Sequence, residues 1–207
     1  LLKKGCTKMD KPVSRHNQAI NTKLKITEKA MELLRTKPYD TVKVSDICEA
    51  ANVSVGSFYH HFEHKGMLII NCYNLIDELI LENYLKKSHA NFLSSTLELN
   101  ISAATIITQL GYNFICNGYR QLLIDDSQYT FSAERLFHQK LSDLLILADQ
   151  NNELIKTDLA LLSEHINRTA RGNIFDWCIK GGTTDLIATW TSDIQSILTM
   201  AKKEEKD

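Results

Sequence analysis

Ten residues near the amino end, VSVGSFYHHF (53–62), bring two phenyl rings, a phenol, two adjacent imidazoles and a glycine together. Imidazole can ligate a metal, move a proton or, beside hydroxyl and ammonium groups, hold an anionic oxygen such as that of a phosphate. A metal site is poorly supported. His60 and His64 stand four apart, but Phe62 and an expected helix end fall between them, no third ligand is near, and the H-E-x-x-H order is absent. Catalysis has no better footing, because the chain has no glycine-rich phosphate loop, no nucleophile elbow and no paired acid and base at a meaningful spacing. An enzyme is not expected, and neither a metal nor a cofactor is implied. Contact with phosphate remains, beside the plain alternative of structural or surface histidines.

The charge distribution favours an anionic partner for one part of the chain only. Residues 1–67 carry 12 Lys+Arg against 7 Asp+Glu, whereas residues 68–207 carry 12 against 18. A basic first third is thus joined to an acidic remainder. No apolar run approaches the roughly 18 residues that span a bilayer, and the opening stretch has no apolar block like that of a secretory signal. The five cysteines, Cys6, Cys48, Cys72, Cys116 and Cys178, lie far apart without a C-x-x-C pair. That pattern suits a reducing cytoplasm and small buried side chains better than a disulfide or zinc framework, with a redox role for one of them as the alternative.

Two prolines and apolar residues at helical spacing predict an all-α fold. One apolar stripe, Leu24, Ile26, Ala30, Met31, Leu33 and Leu34, predicts a helix over 21–37 that stops at Pro38. Short helices follow over about Val44–Ala51 and Val55–His61, then a longer one from about Lys65. Four more are expected near 98–117, 131–150, 157–180 and 184–203, with a further short one in 119–129. In the short pair, Ile47 and Ala50 are expected to face inward, Val53 to pack in the turn, and Phe58 and Phe62 to return to the same core. Asn52 suits the left-handed position that closes a helix, and the Ser54 hydroxyl suits the start of the next. Helix, tight turn and helix in about nineteen residues make a helix-turn-helix whose second helix can enter a major groove.

The stretch TVKVSDICEAANVSVGSFYHHFEHKGML resembles the amino-terminal DNA-binding region of the tetracycline-repressor (TetR) family of bacterial transcription regulators. Val44, Asp46, Ile47, Ala51, Val53, Ser54, Gly56, Tyr59, His61, Phe62, Lys65 and Leu68 match its pattern in register. The basic, polar residues 1–17 are expected to form a loose arm, and the resemblance implies a DNA-binding domain over 18–66 and a helical effector-binding and dimerisation domain over 67–207. It implies a recognition helix over Val55–His61. There Gly56 would let the backbone approach DNA closely, Tyr59 and His61 would contact phosphates, and Lys65 would add a cation. Ser57 and His60 would face bases or phosphates, with Ser45 and Ser54 at the same surface. Val55 replaces the usual cation and can offer only apolar contact, as to a thymine methyl. Lys43 replaces the usual capping Thr and offers a charge instead.

For the body, the resemblance implies that the last two helices pair with their twofold mates. Leu162, Ile166 and Trp177 on one helix and Trp190, Ile194 and Ile197 on the other are the expected interface of a homodimer on a palindromic operator, with burial wholly inside one chain as the plain alternative. It also implies a pocket for a small amphipathic effector. Gln109, Tyr112, Asn113, Cys116 and Tyr119 are candidate lining residues, as are Tyr129, Arg135, His138 and Phe175, and core packing is the plain alternative for each. The expected function is a repressor released from DNA by that effector. The alternative is a co-activator or protein-interaction subunit of the same fold, which Val55 and the absent Thr at 43 keep open.

Overall fold

The computed structural model describes residues 15–124 and 132–204, and these contain nine α-helices and no β-strand. Most of the expected arm and Tyr129 therefore lie outside the described residues. The first helix, α1, spans Arg15–Thr36 and begins six residues before the expected Asn21, because its polar first turns carry no apolar stripe. Ile26, Ala30, Met31 and Leu34 are buried, whereas Leu24 is 38% exposed, a correction to the expected stripe. Pro38 and a 3-10 turn over Tyr39–Thr41 separate α1 from α2, Val44–Ala51.

α2 and α3, Val55–His61, have the expected bounds. The inward face of α2 is shifted by one residue: Ile47, Cys48 and Ala51 are buried and Ala50 is exposed. Ile47 and Ala51 stand one full turn apart, so the stripe follows the i,i+4 row rather than i,i+3. Asn52 closes α2 with φ 51° and ψ 53°, and the Val53 N–H donates to the Cys48 carbonyl at 2.9 Å, a Schellman-type end. The Ser54 hydroxyl accepts from the Ser57 N–H at 3.0 Å and starts α3. Phe58 and Phe62, both fully enclosed, then pack with Ile26, Ile47 and Val42 into the core of this head.

The body comprises α4 (Met67–Leu85), α5 (Phe92–Leu110), α6 (Tyr112–Ile124), α7 (Leu136–Gln150), α8 (Leu159–Ile179) and α9 (Leu186–Ala201). The helix expected over 98–117 is in fact two. Gly111 adopts φ 89°, which a side chain rarely tolerates, and breaks the chain between α5 and α6. α5 is the central rod, with Leu99, Ala103 and Ala104 buried and with Thr96 and Asn100 among its buried polar residues. Thr96 donates to Phe92 O at 2.9 Å, and Asn100 donates to Thr96 O at 2.9 Å while accepting from Trp190 Nε1 at 3.2 Å. Such pairing is what permits amides in an apolar interior. At the far end, Glu153 accepts from the N–H groups of Phe92 and Leu93 and so caps α5 from the α7–α8 connection.

Candidate nucleic-acid interface and ligand cavity

Burial of Phe58 determines which side of α3 faces out. Val55 is 46% and Tyr59 55% exposed, and Gly56 and His60 lie on the same open surface, with Ser57 and His61 half-buried at its edges. A Cβ added to Gly56 would meet only Ser54 Oγ at 3.8 Å, so nothing within the protein requires a glycine there. Lys43, Ser45 and Ser54 are exposed on the adjoining turn and α2 start. Lys43 offers no capping side chain; its N–H donates to the Asp46 carboxylate at 2.9 Å, the reciprocal half of a capping box. The His60 and His61 rings meet edge to face at 5.1 Å. Burial, His60 and Lys23 hold the His61 pKa below its ordinary value. No group of three or more His, Cys, Asp or Glu side chains among the described residues could hold a metal ion.

Lys65 departs from its expected geometry. Its ammonium turns inward, donating to the carbonyls of Tyr39 at 2.6 Å and Val42 at 2.9 Å, and it sits 3.7 Å from the centroid of the Tyr39 ring. Burial lowers its pKa, with Asp40 opposing. The side chain is a latch between the entry to α4 and the turn after α1. Family spacing alone does not reveal this, because backbone carbonyls leave no mark in the sequence.

Within the body a cavity of about 80 Å³ opens among α4 to α9. Of the expected lining residues, Tyr119, Arg135 and His138 are there. The others that the structure describes are elsewhere. Gln109 and Asn113 are exposed, and Tyr112 packs edge-on against Trp177 at 6.0 Å. Cys116 lies beside Cys178, and Phe175 is 52% exposed. They fail because Gly111 turns the start of α6 away and because Phe175 sits on the outward side of α8. The unforeseen walls are Tyr73 and Ile76 of α4, Phe114 and Phe137, and Asn167 and Trp190.

The charged groups at the cavity are paired. Arg135, 8% exposed, binds fully buried Asp77 through two nitrogens, and its guanidinium lies 4.8 Å from the Tyr73 ring centroid. Arg171 donates to Glu164 at 3.0 Å. Tyr119 donates to the Arg171 carbonyl at 3.3 Å, and burial pushes its phenol pKa up. His138 Nδ1 stands 2.9 Å from Ser132 O, and burial with the nearby Arg135 charge lowers the imidazole pKa. A polar groove between α7 and α8 reaches the same spot, sharing His138, Asn167 and Arg171 with the cavity.

The six residues expected at a dimer interface are all in the core of one chain: Leu162 is 8%, Ile166 0%, Trp177 4%, Trp190 3%, Ile194 0% and Ile197 6% exposed. They cannot present themselves to a second copy. The outward side of α8 is instead Leu161, His165, Arg168, Gly172, Phe175 and Ile179, spaced alternately by four and three. Periodicity identifies an apolar stripe but does not tell which of two stripes meets its own core.

Helices α4 and α6 both line the cavity and both reach the head. Asn117 of α6 accepts from the Tyr39 N–H at 3.1 Å and donates to the carbonyls of Leu34 at 3.2 Å and Lys37 at 3.1 Å. Arg120 pairs with Asp40 at 2.8 Å, and Arg35 donates to Gln109 O at 2.7 Å. Those polar ends on α1 are satisfied from α5 and α6, so the two parts of the molecule share hydrogen bonds.

Residues 26–72 match the family model described as bacterial regulatory proteins, tetR family. Over 64 residues the chain is 30% identical to the biofilm operon icaADBC HTH-type negative transcriptional regulator IcaR of Staphylococcus epidermidis, covering 29% of this chain and 35% of that relative. Similar solved structures extend the likeness to the whole architecture. Thermus thermophilus FadR, a repressor in complex with lauroyl-CoA, aligns with TM-score 0.66 at 16% identity over 89% of this chain and 98% of that one. RolR with its ligand resorcinol aligns with TM-score 0.61 at 15% identity over 90% of each chain. At these identities the structures speak for the fold. No described helix is long and apolar enough to cross a membrane.

Proposed function

We propose that this chain, whose residues 26–72 match the model of tetR-family bacterial regulatory proteins, is a repressor of that family that leaves its operator when a small molecule enters the body cavity. The observation that carries the reading is the outward face of α3: Val55, Gly56, Tyr59 and His60 are exposed on a helix whose other side is anchored by Phe58. Tyr59, His61 and Lys43 supply groups for phosphates, while Val55, Ser57 and His60 face bases. The repressing sign rests on the relative described as a negative regulator.

The working unit is a homodimer acting on DNA in the cytoplasm. The exposed stripe of α8, with Leu161, Phe175 and Ile179 flanking Gly172, is its interface in place of the buried residues. Twofold pairing sets two α3 helices on half-sites about 34–36 Å apart, one turn of a palindromic operator. Ligand in the cavity presses on α4 and α6, and the Lys65 and Asn117 hydrogen bonds carry that displacement to the head. The population shifts towards a spacing that mismatches the operator. FadR and RolR hold small organic molecules in this fold, which supports such a role for the cavity.

The test is fluorescence anisotropy with duplexes tiled across the DNA upstream of the chain's own gene, over a salt series. The expected result is one protected palindrome with affinity that falls steeply with salt. Absence of DNA retention even at low salt overturns the proposal.

A further inference from the structure

Resting on the effector reading, the ligand's chemical class follows from what the cavity leaves unpaired. Asn167 is 8% exposed and lines both the cavity and the groove. No hydrogen bond ties its carboxamide to the described residues, and its polar atoms are open to the groove and not sealed in the core. A ligand's polar group can therefore meet this amide with no protein hydrogen bond to break. Beside it on the shared wall, His138 has one nitrogen committed to Ser132 O. A carbonyl only accepts, so Nδ1 carries the proton and Nε2 presents a lone pair. The burial that disfavours imidazolium supports that neutral form.

The wall thus offers one acceptor, His138 Nε2, and one unengaged amide able to donate. The guanidiniums are already engaged, Arg135 by Asp77 and Arg171 by Glu164. A carboxylate entering here would have to compete with those pairs or remain buried without a countercharge. The remaining surface is apolar and rich in rings, with Phe114, Phe137, Trp190 and Ile76 among its walls.

We propose that the cavity takes a small uncharged molecule with an apolar, ring-sized body and a hydroxyl group, whose O–H donates to His138 Nε2 and whose oxygen accepts from Asn167 Nδ2. A hydroxyl meets both protein groups at once. An ether meets only the amide, and a carboxylate meets it at the cost of burying charge.

Isothermal titration calorimetry of the full chain, free of DNA, with phenol, anisole and benzoate tests this. Phenol is expected to bind about tenfold more tightly than either of the others, the worth of roughly one satisfied buried hydrogen bond. Asn167→Leu is expected to erase phenol's advantage over anisole while leaving the circular dichroism and melting curve cooperative. Benzoate binding as tightly as phenol, anisole matching phenol on the unaltered chain, or no heat with phenol at millimolar concentration each overturns the ligand class. The unaltered chain suffices for these outcomes should the variant fail to fold. None of them touches operator binding, whose failure would appear in the anisotropy titration.

Discussion

Lys65 and Asn117 grip the same residue from two sides: the Tyr39 carbonyl accepts from the Lys65 ammonium at 2.6 Å, and the Tyr39 N–H donates to the Asn117 carboxamide at 3.1 Å. Lys65 introduces α4 and Asn117 belongs to α6, both of which line the cavity and reach the head. The turn after α1 is therefore held at one point by both. Asn117→Ala removes three hydrogen bonds, and the expected loss of stability is about 1–3 kcal/mol. In the proposed mechanism, operator affinity persists but ligand no longer releases the DNA. Anisotropy with and without ligand checks this, and normal release from the variant would remove α6 from the path.

Lys65→Ala separates a latch from a phosphate contact. A cation on phosphate leaves one fewer counterion released, so its loss lowers the salt slope by about 1. A latch lost instead exposes or strands two carbonyls and destabilises the head by about 1–3 kcal/mol. The inward geometry predicts a lower melting temperature with the salt slope unchanged. Tyr59→Phe is the contrasting variant, expected to keep its melting temperature and to weaken binding to every duplex alike.

Gly56→Ala distinguishes a glycine kept for the fold from one kept for a partner. A methyl group at this position meets nothing closer than 3.8 Å, and alanine is the better helix former by about 0.5–1 kcal/mol. The variant is expected to melt at the same or a slightly higher temperature and to bind operator less tightly. Undiminished DNA affinity would mean that the start of α3 never approaches the duplex.

These tests concern the part of the molecule whose local chemistry is written in adjacent residues. Asn52 and Ser54 mark the end of α2 and the start of α3, and both bounds came out as expected from the sequence. The cavity is different. Asn167, Trp190, Phe114 and Tyr73 come from four helices far apart in the chain, and only the packing of those helices brings them together. Gly111 also hid the α5–α6 break, because the apolar repeat continues across it. The stripes on α8 and α9 were visible, yet α8 also carries Leu161, Phe175 and Ile179 on its outward face, and periodicity did not tell that the stripes with Leu162 and Trp190 meet the chain's own core.

Acid should act on the body through His138. Its pKa in the folded state lies below the ordinary 6.5 because of burial and Arg135, so near that pH the unfolded chain binds more protons. The stability this group contributes is present above pH 6.5 and declines as the pH falls from there towards its lowered folded value. His138→Phe is expected to flatten that part of the stability-against-pH curve measured by urea unfolding. An unchanged curve would show that the imidazole titrates alike in both states.

The reassigned interface makes the sharpest contrast between variants. Phe175 and Ile179 are 52% and 68% exposed, so Phe175→Glu with Ile179→Glu costs the single chain little but places unpaired charges in a dimer contact. Trp190 is 3% exposed and donates to Asn100, so Trp190→Asp strands both a charge and an amide in the core and loses more than the roughly 3–5 kcal/mol of a large-to-small core change. Sedimentation velocity is expected to show the double variant as a folded monomer with its helical signal intact, while Trp190→Asp loses its cooperative melting transition. A folded dimer from the double variant would move the twofold contact away from this side of α8, and with it the proposed placing of two α3 helices along one operator.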